Sequence, residues 1–194
     1  MSITTTARTL LASLAFCFAS NAVAQSQNFN INPGLSTVAF TLTSNDDTTK
    51  GTFRVEKGVV AFNPASTQIS GMVIVSAASG NSGNSTRDKR MLKEVLQASR
   101  FANITFAPQS YTGSLALTGD SHLQVTGIFS LHGTSHTITV PMLIHIQGNQ
   151  CTASTTFKVP YVQWGLKDPS WFIFRVAKEV TVNLTLTGLI SPVS

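Results

Sequence analysis

Two histidines lie four residues apart, His132 and His136, within "GIFSLHGTSHTITVP" (Gly127 to Pro141). On a helix this spacing puts both imidazoles on one face, where they can grip zinc. Here it straddles Gly133 between two runs of strand-like alternation, and the nearest acid in sequence is Asp120. A transition-metal site would need further ligands from elsewhere in the chain. The simpler expectation is a hairpin loop of about two to four residues with a histidine on each flank, and no metal. His122 and His145 stand singly on strand-like stretches and read as outward-facing polar positions.

Nucleophilic catalysis needs a base beside the nucleophile and usually a group that orients the base. From Gln25 onward the chain holds five Asp, three Glu and four His, with no G-x-S-x-G and no H-E-x-x-H. Its serines and threonines fall on alternating strands as ordinary solvent-face residues. Cys151 opens a strand and is expected to be a buried, inert thiol. Asp88 beside Arg87 could anchor a polar headgroup, but an acid in the first turn of a helix already complements the helix dipole. No catalytic residue, metal ligand or cofactor is expected from these residues.

The elements that would position such groups begin after a leader. "MSITTTARTLLASLAFCFASNAVAQ" carries Arg8, an apolar run from Leu10 to Ala19, and "AVA" at Ala22 to Ala24. That is the pattern of a secretory signal peptide, cut after Ala24. The run is shorter than the ~20 residues a membrane-spanning helix needs. Removing residues 1–24 from the 194 leaves 170, enough for one domain, and lowers the formal charge from +5 to +4 with the loss of Arg8. The basic cluster "RDKR", Arg87 to Arg90, reads as a solvated helix face, so nucleic acid is not an expected partner. Cys151 alone survives cleavage, so no internal disulfide can form and stability must come from the core.

Residues 25–33 read as a polar lead-in, followed by one domain over 34–192. Within it, period-two patterning recurs in about eight stretches, from "STVAFTLTS" through "LQVTGIFSL" and "HTITVPMLIHI" to "EVTVNLTLTG". Alternation of this kind buries one face of each strand and leaves the other in water. "GTFRVEKGVVAF" restarts its alternation after Gly58, where a bulge or bend is expected. Turn residues separate the strands. "STRDKRMLKEVLQASRF" alone has helical spacing, with Ser85 or Thr86 as N-cap. Antiparallel strands with one apolar face must hide their edges, by closing into a barrel or by packing as two sheets.

Several stretches together resemble the YceI-like family of polyisoprenoid-binding proteins. "RDKRMLKEVLQASRFANITFAP" is similar to its helix and following I-x-F strand, "GIFSLHGTSHTITVP" to its hairpin, "FRVAKEVTVNLTLTG" to its last strand and "INPGLSTVAFTL" to its first. The likeness covers Ile31 to about Ile190. "FKVPYVQWGL" departs from the family's late arginine-containing pattern, and "KDPSWFIF", Lys167 to Phe174, reads as an insert at the barrel mouth. The resemblance implies an all-β fold: an eight-stranded antiparallel lipocalin-like barrel with one short helix between strands 3 and 4. It implies a periplasmic or secreted protein that holds an isoprenoid or other long-chain amphipathic lipid and has no catalytic residues.

The apolar strand faces are then the candidate binding surface. Barrel interior and mouth are assigned to Phe40, Leu42, Phe53, Val73, Val75, Phe129, Leu131, Ile138, Val140, Phe157, Val182, Leu184 and Trp171. The same faces could equally fill a solid core. Gly71, Ala77, Gly127 and Ala153 are small enough to leave room between the larger side chains. Trp164, Trp171, Phe172 and Phe174 form an aromatic loop that reads as a lid or as a plug. Ten buried methylenes at ~0.8 kcal/mol each would supply ~8 kcal/mol, near micromolar affinity before association costs. Transient membrane contact and a homodimer are compatible with this reading. Two alternatives stand beside it: an outer-membrane β-barrel, and a periplasmic enzyme using His132 and His136.

Overall fold

The alternation of apolar and polar residues resolves into nine strands in the computed structural model, which describes residues 25–193. They are β1 (Gln27–Ile31), β2 (Thr37–Thr43), β3 (Thr48–Phe62), β4 (Ile69–Asn81), β5 (Asn103–Thr112), β6 (Gly119–Leu131), β7 (Thr134–Gln147), β8 (Gln150–Val159) and β9 (Val180–Pro192). Every pairing is antiparallel, and the sheet runs from β4 through β5, β6, β7, β8, β9 and β2 to β3, which pairs again with β4. The sheet therefore closes on itself, as edge-strand chemistry demands.

The lead-in is not irregular: Gln27–Ile31 forms β1, which pairs with the second half of β3 and the second half of β9. β2 pairs with the first halves of the same two strands. β1 and β2 thus lie end to end in one position of the wall, so the nine strands make an eight-position barrel. A short 3-10 turn, Pro33–Leu35, breaks the two apart; Asn32 caps it by accepting from the Gly34 amide at 2.9 Å. The polar sequence of β1 hid this strand, because only Phe29 and Ile31 turn inward.

The irregularity foreseen near Gly58 is a register shift between Val55 and Lys57. Before it, Phe53 and Val55 face the interior; after it, Gly58, Val60 and Phe62 do. A β-carbon on Gly58 would stand 2.6 Å from Ile31 Cδ1, so the glycine opens the space where β1 seats.

The helix, α1 (Ser85–Arg90), continues as a wide π-type turn, Met91–Val95. It lies between β4 and β5, one place later than expected, because β1 had not been counted. Its N-cap is Asn84, not Ser85 or Thr86: the Asn84 carboxamide oxygen accepts from the amides of Thr86 (3.1 Å) and Arg87 (3.0 Å). The wide turn brings Met91, Leu92 and Val95 onto a buried cluster with Leu96, Phe129 and Val159 at one end of the barrel.

Candidate functional site

Each strand sends its alternate apolar residues inward, but they do not fill the space they enclose. A cavity of about 760 Å³ runs through the barrel, bounded by both of the buried clusters. That volume lies in the ~300–1,000 Å³ range of small-molecule pockets. Phe40, Leu42, Phe53, Val73, Val75, Phe129, Leu131, Ile138, Val140, Phe157, Val182, Leu184 and Trp171 all lie on its wall. Of the small residues thought to make room, only Ala153 lines it. Gly127 is small for a different reason: a β-carbon there would meet Ala107 O at 2.5 Å and Pro108 Cα at 2.8 Å.

The two ends of the cavity differ. At the end where β3 finishes and β4 begins, its wall carries Phe29, Phe62, Leu115, Leu123, Met142 and Ile190. Leu115, from the β5–β6 loop, packs onto the buried cluster there. Tyr111 secures this end: its amide donates to Thr67 O at 3.0 Å and its hydroxyl to Ser66 O at 3.1 Å.

At the other end the wall is mixed. α1 contributes Arg87 and Arg90, the π-type turn Glu94, and the long β8–β9 loop Lys167, Asp168 and Trp171. Lys167 Nζ donates to Glu94 Oε2 at 2.7 Å across the opening, and this contact holds the Glu94 carboxyl below its ordinary pKa. Arg87 is committed inward on the loop before the helix, donating to Ser82 Oγ (2.8 Å) and Ser82 O (3.1 Å). Asp88 accepts from the same serine's amide and hydroxyl. The pair thus braces the β4–α1 corner, whichever ligand the mouth admits.

The β8–β9 loop is anchored at its base by Tyr161, whose hydroxyl donates to Ala177 O at 2.7 Å. Burial, with Asp168 nearby, pushes this phenol up to about 12. Trp164 lies flat on His136, with ring centroids 4.0 Å apart and 7° between planes. Trp164 thus packs as a plug on the barrel rim, whereas Trp171 and Phe174 lie at the opening itself.

The paired histidines do different things. His132 and Gly133 are the two central residues of the β6–β7 turn, both with positive φ (53° and 77°), while Leu131 pairs with Thr134. This is the geometry of a two-residue primed hairpin turn. His132 therefore occupies the turn rather than its flank, and its ring packs on Phe101 at 4.4 Å. His136 is one of the inward-alternating rim residues and meets Thr134 Oγ1 at 3.1 Å. Among the described residues no three His, Cys, Asp or Glu side chains gather as a metal would require. His145 is not isolated: it pairs with Asp120 on the barrel exterior.

Cys151 faces the lumen, and burial pushes its thiol up to about 11, so it carries almost no thiolate at neutral pH. Thr155 Oγ1, also on the lumen wall, is buried with no hydrogen-bond partner among the described residues. The rest of the mid-barrel wall is hydrocarbon. Such a surface is complementary to an apolar chain in area and shape.

The outer faces carry the polar residues, as on β8 (Thr152, Ser154, Thr156, Lys158) and β9 (Thr181, Asn183, Thr185, Thr187). A barrel embedded in lipid needs the opposite arrangement, an apolar band outside. This orientation removes the outer-membrane alternative. No helix among the described residues is long and apolar enough to cross a membrane.

The family model of the YceI-like domain matches residues 29–188. Among solved structures, the chain is similar to BcnA of Burkholderia cenocepacia, with 21% identity and a TM-score of 0.67 over 81% of this chain and 99% of that one. It is also similar to a polyisoprenoid-binding domain from Saccharophagus degradans implicated in plant cell wall breakdown, with 13% identity, a TM-score of 0.63 and coverage of 84% and 98%. A third likeness is to the YceI protein of Campylobacter jejuni, with 19% identity, a TM-score of 0.57 and coverage of 68% and 79%. At these identities the structures attest the fold alone. No curated protein sequence matches the chain.

Proposed function

The chain belongs to the YceI-like domain family, and on that premise we propose that it is an exported carrier of a long isoprenoid-type lipid. The family and its polyisoprenoid-binding neighbour support a lipid-binding protein rather than an enzyme. The observation that carries the reading is the lumen: about 760 Å³, apolar along its length, with its charged residues gathered at one mouth. An apolar chain would lie against Phe40, Val140 and Leu184, and an amphipathic head would remain near the mouth. The ligand is a polyprenyl chain or an isoprenoid quinone, and no other cofactor is required. Export rests on the leader in residues 1–24, which lie outside the described residues. A ligand this insoluble must be taken from and returned to a membrane, so contact with one is transient.

Native mass spectrometry after gentle purification, with lipid extraction, tests the proposal. A mass increment matching an isoprenoid lipid is expected, or uptake of isoprenoid quinone by ligand-free protein. A protein that emerges empty and takes up neither quinone nor polyprenyl chain would sink it.

A further inference from the structure

The segment Trp171–Phe174 exposes more apolar surface than a free loop should. Trp171, Phe172 and Ile173 are 78%, 77% and 75% exposed. Consecutive large apolar side chains in water mark an interaction site. The tip is held in place. Trp171 and Phe174 exchange both backbone hydrogen bonds, at 2.9 and 2.8 Å. Phe172 sits at φ 49°, a conformation bulky residues rarely adopt. Asn45, from the β2–β3 turn, clamps the tip from outside: its side chain donates to Ile173 O (3.1 Å) and accepts from the Arg175 amide (2.9 Å). The exposed side chains are therefore presented by a braced hairpin.

The tip has two faces. Trp171 and Phe174 line the mouth of the lumen, whereas Phe172 and Ile173 do not touch it. Charge separates the ends of the barrel in the same sense. Lys167, Arg175 and Lys178 flank the tip, and Arg87, Lys89, Arg90, Lys93 and Arg100 stand on the helix and the segment after it, together outnumbering the acids Asp46, Asp47, Asp88, Glu94, Asp168 and Glu179 at the same mouth. The turns at the far end, 63–68, 113–118 and 148–149, hold no Lys or Arg. Aromatic residues settle at the level of lipid headgroups, and basic residues near them are drawn to anionic lipids.

We propose that the Trp171–Phe174 tip inserts into an anionic lipid surface and seats the lumen mouth against it. The ligand chain then passes between bilayer and barrel without crossing water. This docking rests on the carrier reading but is tested apart from it. The protein from Gln25 onward is mixed with vesicles of phosphatidylglycerol and phosphatidylcholine in equal parts, or of phosphatidylcholine alone, and floated on a density gradient. Co-flotation with the anionic vesicles is expected, weakening with salt, together with quenching of Trp171 emission by brominated lipid. The Phe172→Ser, Ile173→Ser double variant should co-float roughly tenfold less yet take up isoprenoid quinone from detergent as the parent does. Wild-type protein that ignores both vesicle types, or a double variant that binds them equally well, overturns the proposal. So does a tip-dependent dimer or protein complex formed in place of vesicle binding. If neither protein takes up quinone but vesicle binding still depends on the tip, docking stands and the carrier reading falls.

Discussion

The two ends of the barrel are built from the same strands and do opposite work. The far end is apolar: Tyr111 ties β5 to the β3–β4 loop and Leu115 folds inward. The mouth carries both signs of charge, an ion pair across its opening and an aromatic tip turned to solvent. Closing one end gives a lumen a floor, whereas leaving the other polar lets it open. On the carrier reading proposed above, this asymmetry is what a ligand would meet.

The far end should therefore respond in stability and the mouth in exchange. Tyr111→Ala removes an aromatic ring and a loop tie and should cost about 3–5 kcal/mol in urea unfolding, whereas Trp171→Ala at the mouth should cost under about 0.5 kcal/mol. Equal costs would erase the distinction. Ala153→Trp, which fills the lumen between the ends, should weaken isoprenoid quinone binding by ~100-fold, equivalent to ~2.7 kcal/mol, while circular dichroism stays that of a barrel. Unchanged affinity would place the ligand elsewhere.

Smaller effects sharpen the picture of the mouth and of the lumen wall. Tyr161→Phe leaves Ala177 O without its donor and should lower stability by about 1 kcal/mol, with faster hydrogen exchange confined to the β8–β9 loop. Cys151 should alkylate slowly in the folded protein from Gln25 onward, because burial raises its pKa to about 11 and thiolate is scarce until pH approaches that value. Mass spectrometry of an iodoacetamide time course reads this, and bound ligand should slow it further. Glu94→Gln should leave the melting temperature unchanged and speed ligand release. Its carboxyl pKa is lowered in the folded state, so the contact with Lys167 is present above the ordinary carboxylate range and fades as pH falls through the folded value. Release rates that ignore both the substitution and acid would show that the mouth has no latch.

Much of the barrel wall could be read from the chain. Where a strand alternates cleanly, as in β6 and β9, the inward residues follow from period two, and Phe129, Val182 and Leu184 lie where the alternation puts them. β1 escaped because five residues with two apolar positions carry too little pattern. The far-end residues Phe29, Phe62, Tyr111 and Leu115 escaped for a related reason: two follow the missed strand or the parity switch in β3, one follows the bulge after Pro108, and one stands in a loop. The mouth contact between Glu94 and Lys167 joins residues 73 positions apart, and neither had any local mark.

The sequence alone determined the class of wall: which faces are apolar, which are polar and where the chain turns. Those properties are local, set by the period of the strand and the conformational limits of turn residues. Whether the apolar faces meet as a solid core or stand apart around a lumen was decided only in three dimensions. Ring closure fixes the barrel's width, and the side chains then either reach across it or fall short. Tertiary packing also decided that Trp164 covers His136 and that the hydrophobic tip stands beside the mouth.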